Sequence, residues 1–135
     1  MCIRDSENIT HVVGVLDWEM STIGDPLSDL GTALAYWRDV SDPPEWDCIR
    51  WCPSNYSGSM TRKQLVERYA QLTGRDVSAI FFYLTFARFK VAVILQQIYF
   101  RYHQGLTQDH RFAALPEQVS MMMQAAMDAM ETGRI

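Results

Sequence analysis

The chain has 135 residues, 48% of them apolar and 21% charged, with twelve basic against sixteen acidic side chains and a net charge of −4. That length limits it to one domain, and the apolar share excludes a disordered chain. The acidic balance argues against the basic footprint of a nucleic-acid binder.

The first ten residues hold no long apolar run, so no secretory leader is expected. Val12, Val13, Val15 and Leu16 form a β-branched-rich run whose length and continuity predict a strand buried on both faces. Asp17 closes that run, Trp18 adds apolar bulk beside it, and residues 20–24 read as a loop. Asp25-Pro26 predicts a helix start. Proline at the first helical position has no N–H to leave unpaired, and the residue before it is held out of the helical region, where an N-cap belongs. Leu27, Leu30, Leu34 and Trp37 then recur as an apolar stripe. Asp29 lies off the stripe in the first turn, where the helix dipole favours a negative charge.

Residues 39–60 read as a long inter-helix loop containing Asp42-Pro43-Pro44, Cys52-Pro53 and Ser57-Gly58-Ser59. Trp46, Trp51 and Tyr56 are its expected anchors. It reads first as a plain crossover, and second as a lid on the substrate side. Thr61 to Gln64 is a capping box for a helix with Leu65, Tyr69 and Leu72 on its apolar face and Gly74 as its stop. Asp76 is expected to cap the next helix, which runs to about Gly105. Residues 79–102 are the most apolar stretch, but Arg88, Lys90, Gln96, Gln97 and Arg101 interrupt it, which predicts a buried core helix and not a membrane span. Leu115-Pro116 opens the last helix, where Val119, Met122, Met123, Ala126, Met127 and Met130 form an adaptable core stripe.

Cys2, Cys48 and Cys52 are odd in number and lack a second Cys/His pair at zinc spacing. Reduced thiols and a cytoplasmic location are expected. His11, His103 and His110 stand singly and read as ordinary surface or core histidines. The chemistry therefore falls on four acids. Taken alone, Asp25 reads as a cap, Asp29 as a first-turn acid, Glu19 as a surface side chain and Asp17 as a turn former after the strand.

Leu16-Asp17-Trp18-Glu19, then Gly24-Asp25-Pro26-Leu27, then Asp29-Leu30, resemble the aminoglycoside phosphotransferase family. Leu65 to Gly74 and the later helix with Ile94-Leu95-Gln96 and Tyr99 resemble its helical lower lobe more loosely. The resemblance implies a protein-kinase-like fold that moves the γ-phosphate of ATP onto a small-molecule hydroxyl. It implies that Asp17 holds Mg²⁺, that Glu19 holds a second metal or a water of the first, that Asp25 caps and that Asp29 braces the catalytic loop. Such an ion neutralises the charge that spreads over the phosphoryl oxygens. The family's His-Gly-Asp catalytic loop, its glycine-rich phosphate loop and its ATP-pairing lysine have no counterpart in this sequence. Met1 to Ser6 match no family element.

The fold expected from these observations is mainly α: the lower lobe of a kinase-like phosphotransferase, with a short strand near the N-terminus followed by four or so helices. Residues 1–135 would form a single partial domain, with the upper lobe and catalytic loop absent and no catalytic acid of its own. The expected partners are ATP, Mg²⁺ and a small-molecule alcohol, with neither nucleic acid nor membrane involved. The Leu-Asp-Trp-Glu and Gly-Asp-Pro-Leu forms most resemble the branch related to kinase-like domains fused to acyl-CoA dehydrogenases, which makes a hydroxyacyl-CoA a candidate acceptor. The alternative is a non-catalytic helical interaction module derived from the same fold. Alone, the chain is expected to be inactive and prone to aggregate, with its strand lacking its natural neighbour and so poorly covered at its backbone and apolar face.

Overall fold

A computed structural model describes residues 2–5, 11–16, 18–19, 21–49, 54–133 and 135; for residues 2–5 and 48 it describes the backbone alone. Strand β1 (Cys2–Asp5) pairs antiparallel with β2 (Val12–Leu16), in register Cys2 to Leu16 and Ile3 to Val15, with an irregularity between Arg4 and Asp5. Four α-helices follow: α1 (Pro26–Tyr36), α2 (Arg62–Thr73), α3 (Ile80–His103) and α4 (Leu115–Thr132). Short 3-10 turns at Pro44–Cys48 and His110–Ala114 precede α2 and α4. The mainly helical lower-lobe architecture expected from the sequence is thus the one found.

The core is a sandwich of helices around α3. Its 24 residues make a rod of about 36 Å, packed by α1 on one side and α4 on the other. Leu34 of α1, Leu84 of α3 and Met122 of α4 are fully buried at the centre, joined by Val91, Ala87 and Leu95. Small residues let the helices approach closely. A Cβ added at Gly31 of α1 would sit 2.7 Å from the carbonyl carbon of Tyr83 in α3, so only glycine fits that crossing.

The helix ends follow the local chemistry. Thr61 and Gln64 form the reciprocal capping box of α2, and Gly74 ends it in the left-handed region at φ 66°. Gly105 stands in the same region after α3. Asp76 departs from expectation. Its carboxylate accepts from the Ser78 N–H and hydroxyl, a local turn, and α3 starts later, behind Ala79, with no side-chain cap. The Ser78 groups capture the oxygen that would otherwise have reached the first turn.

Three further expectations are corrected. The β2 run is not buried on both faces: Val12, Val13 and Leu16 are each about half exposed. A continuous apolar run does not reveal how many layers cover it, and a two-stranded hairpin has none to spare. The backbone of β2, expected to be poorly covered for want of its natural neighbour, is paired by β1, from the stretch that matched no family element. The methionine stripe is core only in part. Met122 is sealed, while Met127 and Met130 are exposed and line an apolar groove of about 360 Å³ with Phe82, Phe86 and Phe89. By length and composition α3 could also cross a membrane; in this fold it lies between two helices and buries the charged Arg88.

Candidate functional site

The stretch with most chemistry leaves β2 and enters α1. The Trp18 indole N–H donates to the Val15 carbonyl at 2.6 Å, and the Ser21 N–H donates to the Trp18 carbonyl at 2.9 Å. These bonds fold the chain back as a turn just after the strand and leave Glu19 exposed at its tip. Asp17 lies outside the described residues. The chain then runs through exposed residues 21–24 to Asp25, whose extended backbone makes it the N-cap of α1.

Asp25 makes two bonds from its two oxygens. Oδ1 accepts from the Leu27 N–H at 2.9 Å, and Oδ2 accepts from the Tyr83 hydroxyl at 2.6 Å. The first is the cap expected from Asp-Pro. The second ties the start of α1 to the first turn of α3, 58 residues away. The Tyr83 hydroxyl, followed by the Leu27 N–H, holds the Asp25 carboxyl below the usual carboxylate range, and the same bond raises the Tyr83 hydroxyl. Because Gly31 lets α1 and α3 touch, Tyr83 is near enough to reach. Asp29 sits in the exposed first turn of α1 and has no hydrogen bond or ion pair among the described residues. The same holds for Glu19.

Among the described residues, no three His, Cys, Asp or Glu side chains stand close enough together to enclose a metal. What the stretch after β2 offers is one described carboxylate, Glu19, exposed to solvent and without a cation partner among the described residues. That donor set fits Mg²⁺, which keeps several waters and takes one or two carboxylates plus phosphate oxygens. It does not fit a caged structural ion. Cys52 and the side chains of Cys2 and Cys48, on which the zinc reading fell, lie outside the described residues.

A second polar centre was not expected. Under the 39–60 loop, Arg62 is 4% exposed. It donates to the Leu34 and Trp37 carbonyls at the end of α1 and to both oxygens of Asp42 at 2.6 and 2.7 Å. Its backbone N–H donates to Asp39, whose oxygens also accept from Ser41. Burial opposes the charge on Asp39, but the Arg62 and Ser41 bonds outweigh it and hold its pKa low. Buried Ser54 accepts from the Arg38 N–H and donates to the Arg38 carbonyl. The loop is therefore fastened by ions and backbone caps. Of its expected aromatic anchors, Trp46 packs beneath the Arg62 guanidinium at 5.7 Å, Tyr56 is exposed, and Trp51 lies outside the described residues. An arginine at the first position of an amphipathic helix looks solvated in sequence. Only the carbonyl ends of α1 above it reveal why it is buried.

Residues 5–48 match the family model of the phosphotransferase enzyme family. The matched span runs from β1 through the acidic turn and α1 to the end of the first 3-10 turn. The chain is 36% identical over 100 residues to acyl-CoA dehydrogenase family member 11 of Homo sapiens and 35% identical over 97 residues to that of Pongo abelii; each match covers 70% of this chain and 12% of the relative. It is 36% identical over 98 residues to acyl-CoA dehydrogenase family member 10 of Mus musculus, covering 67% of this chain and 9% of the relative. The chain thus spans about a seventh or less of the length of the curated relatives it matches. No solved structure matches it.

Proposed function

We propose, from the phosphotransferase family match over residues 5–48, that this chain forms part of an ATP- and Mg²⁺-dependent enzyme that phosphorylates a small-molecule hydroxyl. The observation that carries the reading is the acidic turn at the exit of β2, inside the matched span and followed at once by a helix whose start is pinned by Asp25. Asp17, with Glu19 beside it, would hold the metal, and the metal supplies the charge that neutralises the phosphoryl oxygens when bound. The chain's own contribution is position. The Trp18 bonds set the turn, and the Asp25–Tyr83 bond keeps α1 at a fixed angle to α3. Asp29, in the first turn of α1 and without a partner among the described residues, would accept from a catalytic loop lying over the helix start. Phosphoryl transfer depends on positioning more than on covalent chemistry, so a rigid frame is a direct contribution to rate.

For the acceptor, a hydroxyacyl-CoA is our first choice. The support is the similarity to acyl-CoA dehydrogenase family members 10 and 11, together with the Leu16-Asp17-Trp18-Glu19 sequence. The metal assignment can be read on the 135-residue chain by titrating Mn²⁺ and following paramagnetic broadening of backbone amides. Broadening should begin at residues 17–19 at millimolar metal and be lost in Asp17→Asn. Uniform weak broadening over all exposed acids, unchanged in the variant, would remove the metal role from this turn.

A further inference from the structure

At the other end of α1 lies a cleft of about 390 Å³ between the 41–46 segment, the middle of α3 and the last turns of α4. Two guanidinium groups line it, and they differ sharply. Arg62 makes four hydrogen bonds and an ion pair with Asp42. Arg88 is 7% exposed and makes one bond, from Nη1 to the Ala125 carbonyl at 3.0 Å. Among the described residues it has no ion pair, so no carboxylate balances it at contact range. Burial, with the nearby Arg62 charge, lowers its pKa to about 10, so it remains charged at neutral pH. Four of the five N–H groups on this largely buried cation have no protein partner among the described residues, which leaves them to water or to a ligand in the cleft.

The unused edge is the one that carries Nε and Nη2, a planar fork that matches the two oxygens of a carboxylate. The unbonded side-chain atoms sealed from solvent among the described residues are Arg38 Nε, Thr85 Oγ1 and Gln118 Oε1; no Arg88 nitrogen is among them, so the fork is reachable from the cleft. Beyond it the walls are mixed: Trp46, Pro43 and Met121 are apolar surface, and Asp42, Glu45 and Asp128 are acids. Asp42 is already taken by Arg62. Counted over the lining, two guanidinium groups face three carboxylates, and Asp42 and Asp128 already attract the Arg88 charge from a distance; the acids disfavour a polyanion such as a nucleotide triphosphate, and a ligand with a single negative group meets the Arg88 fork with the least added repulsion. The volume exceeds that of a bare inorganic ion and lies within the range of small-ligand pockets.

We infer that this cleft is a binding site for a small organic monocarboxylate, held by the free edge of Arg88 with its body against Trp46 and Met121. The site is separate from the acidic turn. The eleven residues of α1 put about 16 Å between the Asp25 end and the Arg62 end, and the inference stands whether or not the phosphotransferase reading does.

The test uses the whole 135-residue chain with benzoate and acetate as probes, sodium chloride at matched ionic strength as the control, and inorganic phosphate as the competing anion. In the wild-type protein, the Arg88 Nε–Hε NMR resonance should shift saturably with the carboxylates while that of Arg62 stays in place. The melting temperature should rise with carboxylate, as binding to the folded state requires. Arg88→Met should abolish that rise, and Arg88→Lys, which keeps charge without the fork, should keep only part of it. Should Arg88→Met fail to fold, the wild-type resonance alone decides. An Arg88 signal unmoved by either carboxylate, moved equally by chloride, or moved by phosphate alone would overturn the assignment, as would a thermal rise that persists in Arg88→Met.

Discussion

Asp25 shows how much one side chain can do. Its cap on the Leu27 N–H was legible from Asp-Pro, because proline's fixed φ and missing donor make the preceding residue a cap by geometry. Its second bond, to Tyr83, was not legible, since nothing local marks which of six tyrosines will lie 58 residues away in reach. The two bonds separate by substitution. Asp25→Ser keeps a short acceptor for the cap and loses Tyr83, so it should melt where Tyr83→Phe melts, and the double variant should fall no further. Fully additive losses would mean that the tyrosine bond contributes nothing. The pH dependence has a definite sign. The carboxyl is held below its ordinary 3.8 and the tyrosine hydroxyl above its ordinary 10.0. The carboxylate's contribution is full above pH 3.8 and disappears as pH falls through its lower folded value. The hydroxyl's contribution is full below pH 10.0 and disappears as pH rises through its higher folded value. The difference in melting temperature between wild type and Tyr83→Phe should therefore be flat between these limits and close at both ends. A difference that peaks inside the window would point to another titrating group.

Among the elements, the capping box of α2, the glycine stops and the proline start of α4 could be read directly, because each is a local rule satisfied within four residues. What escaped was everything set by a neighbour. Gly31 reads as a weak point in a helix, yet it is the crossing of α1 with α3. Two effects compete in Gly31→Ala: helix propensity favours alanine by about 1 kcal/mol, and overpacking costs about 1–3 kcal/mol. The Cβ would meet backbone that cannot rotate away, so packing should win and denaturant titration should show net destabilisation. A more stable Gly31→Ala would disprove the tight crossing. The buried ion centre gives a larger effect. Arg62→Met leaves Asp42 with only its longer ion pair to Arg38 Nε at 3.4 Å and uncaps the end of α1, and should cost about 3 kcal/mol. The exposed Arg111–Asp109 pair is the control, where Arg111→Ala should leave the denaturation midpoint unchanged. Equal effects at the two sites would refute the account of how the 39–60 loop is fastened.

Among the described residues, the helices form one core around α3, and two features stand apart from it: the half-exposed strand β2 and the Phe82–Phe86–Met127 face. Exposed apolar area of that kind promotes association without contributing to the core. Phe86→Lys should lower light scattering at high concentration while leaving the melting temperature close to wild type; a collapse in melting temperature would place Phe86 in the core instead. The central claim concerns the acidic stretch that follows β2, inside the matched family span and ahead of the α1 cap. Its most direct measurement is Mg²⁺-dependent transfer of the γ-phosphate of ATP to a hydroxyacyl acceptor by the complete phosphotransferase polypeptide, comparing wild type with Asp17→Asn and following melting temperature in parallel. We predict that turnover falls about a hundredfold or more, the scale of losing one preorganised charge at the reacting centre, with melting unchanged. Near-normal turnover with the same Mg²⁺ dependence would contradict the account.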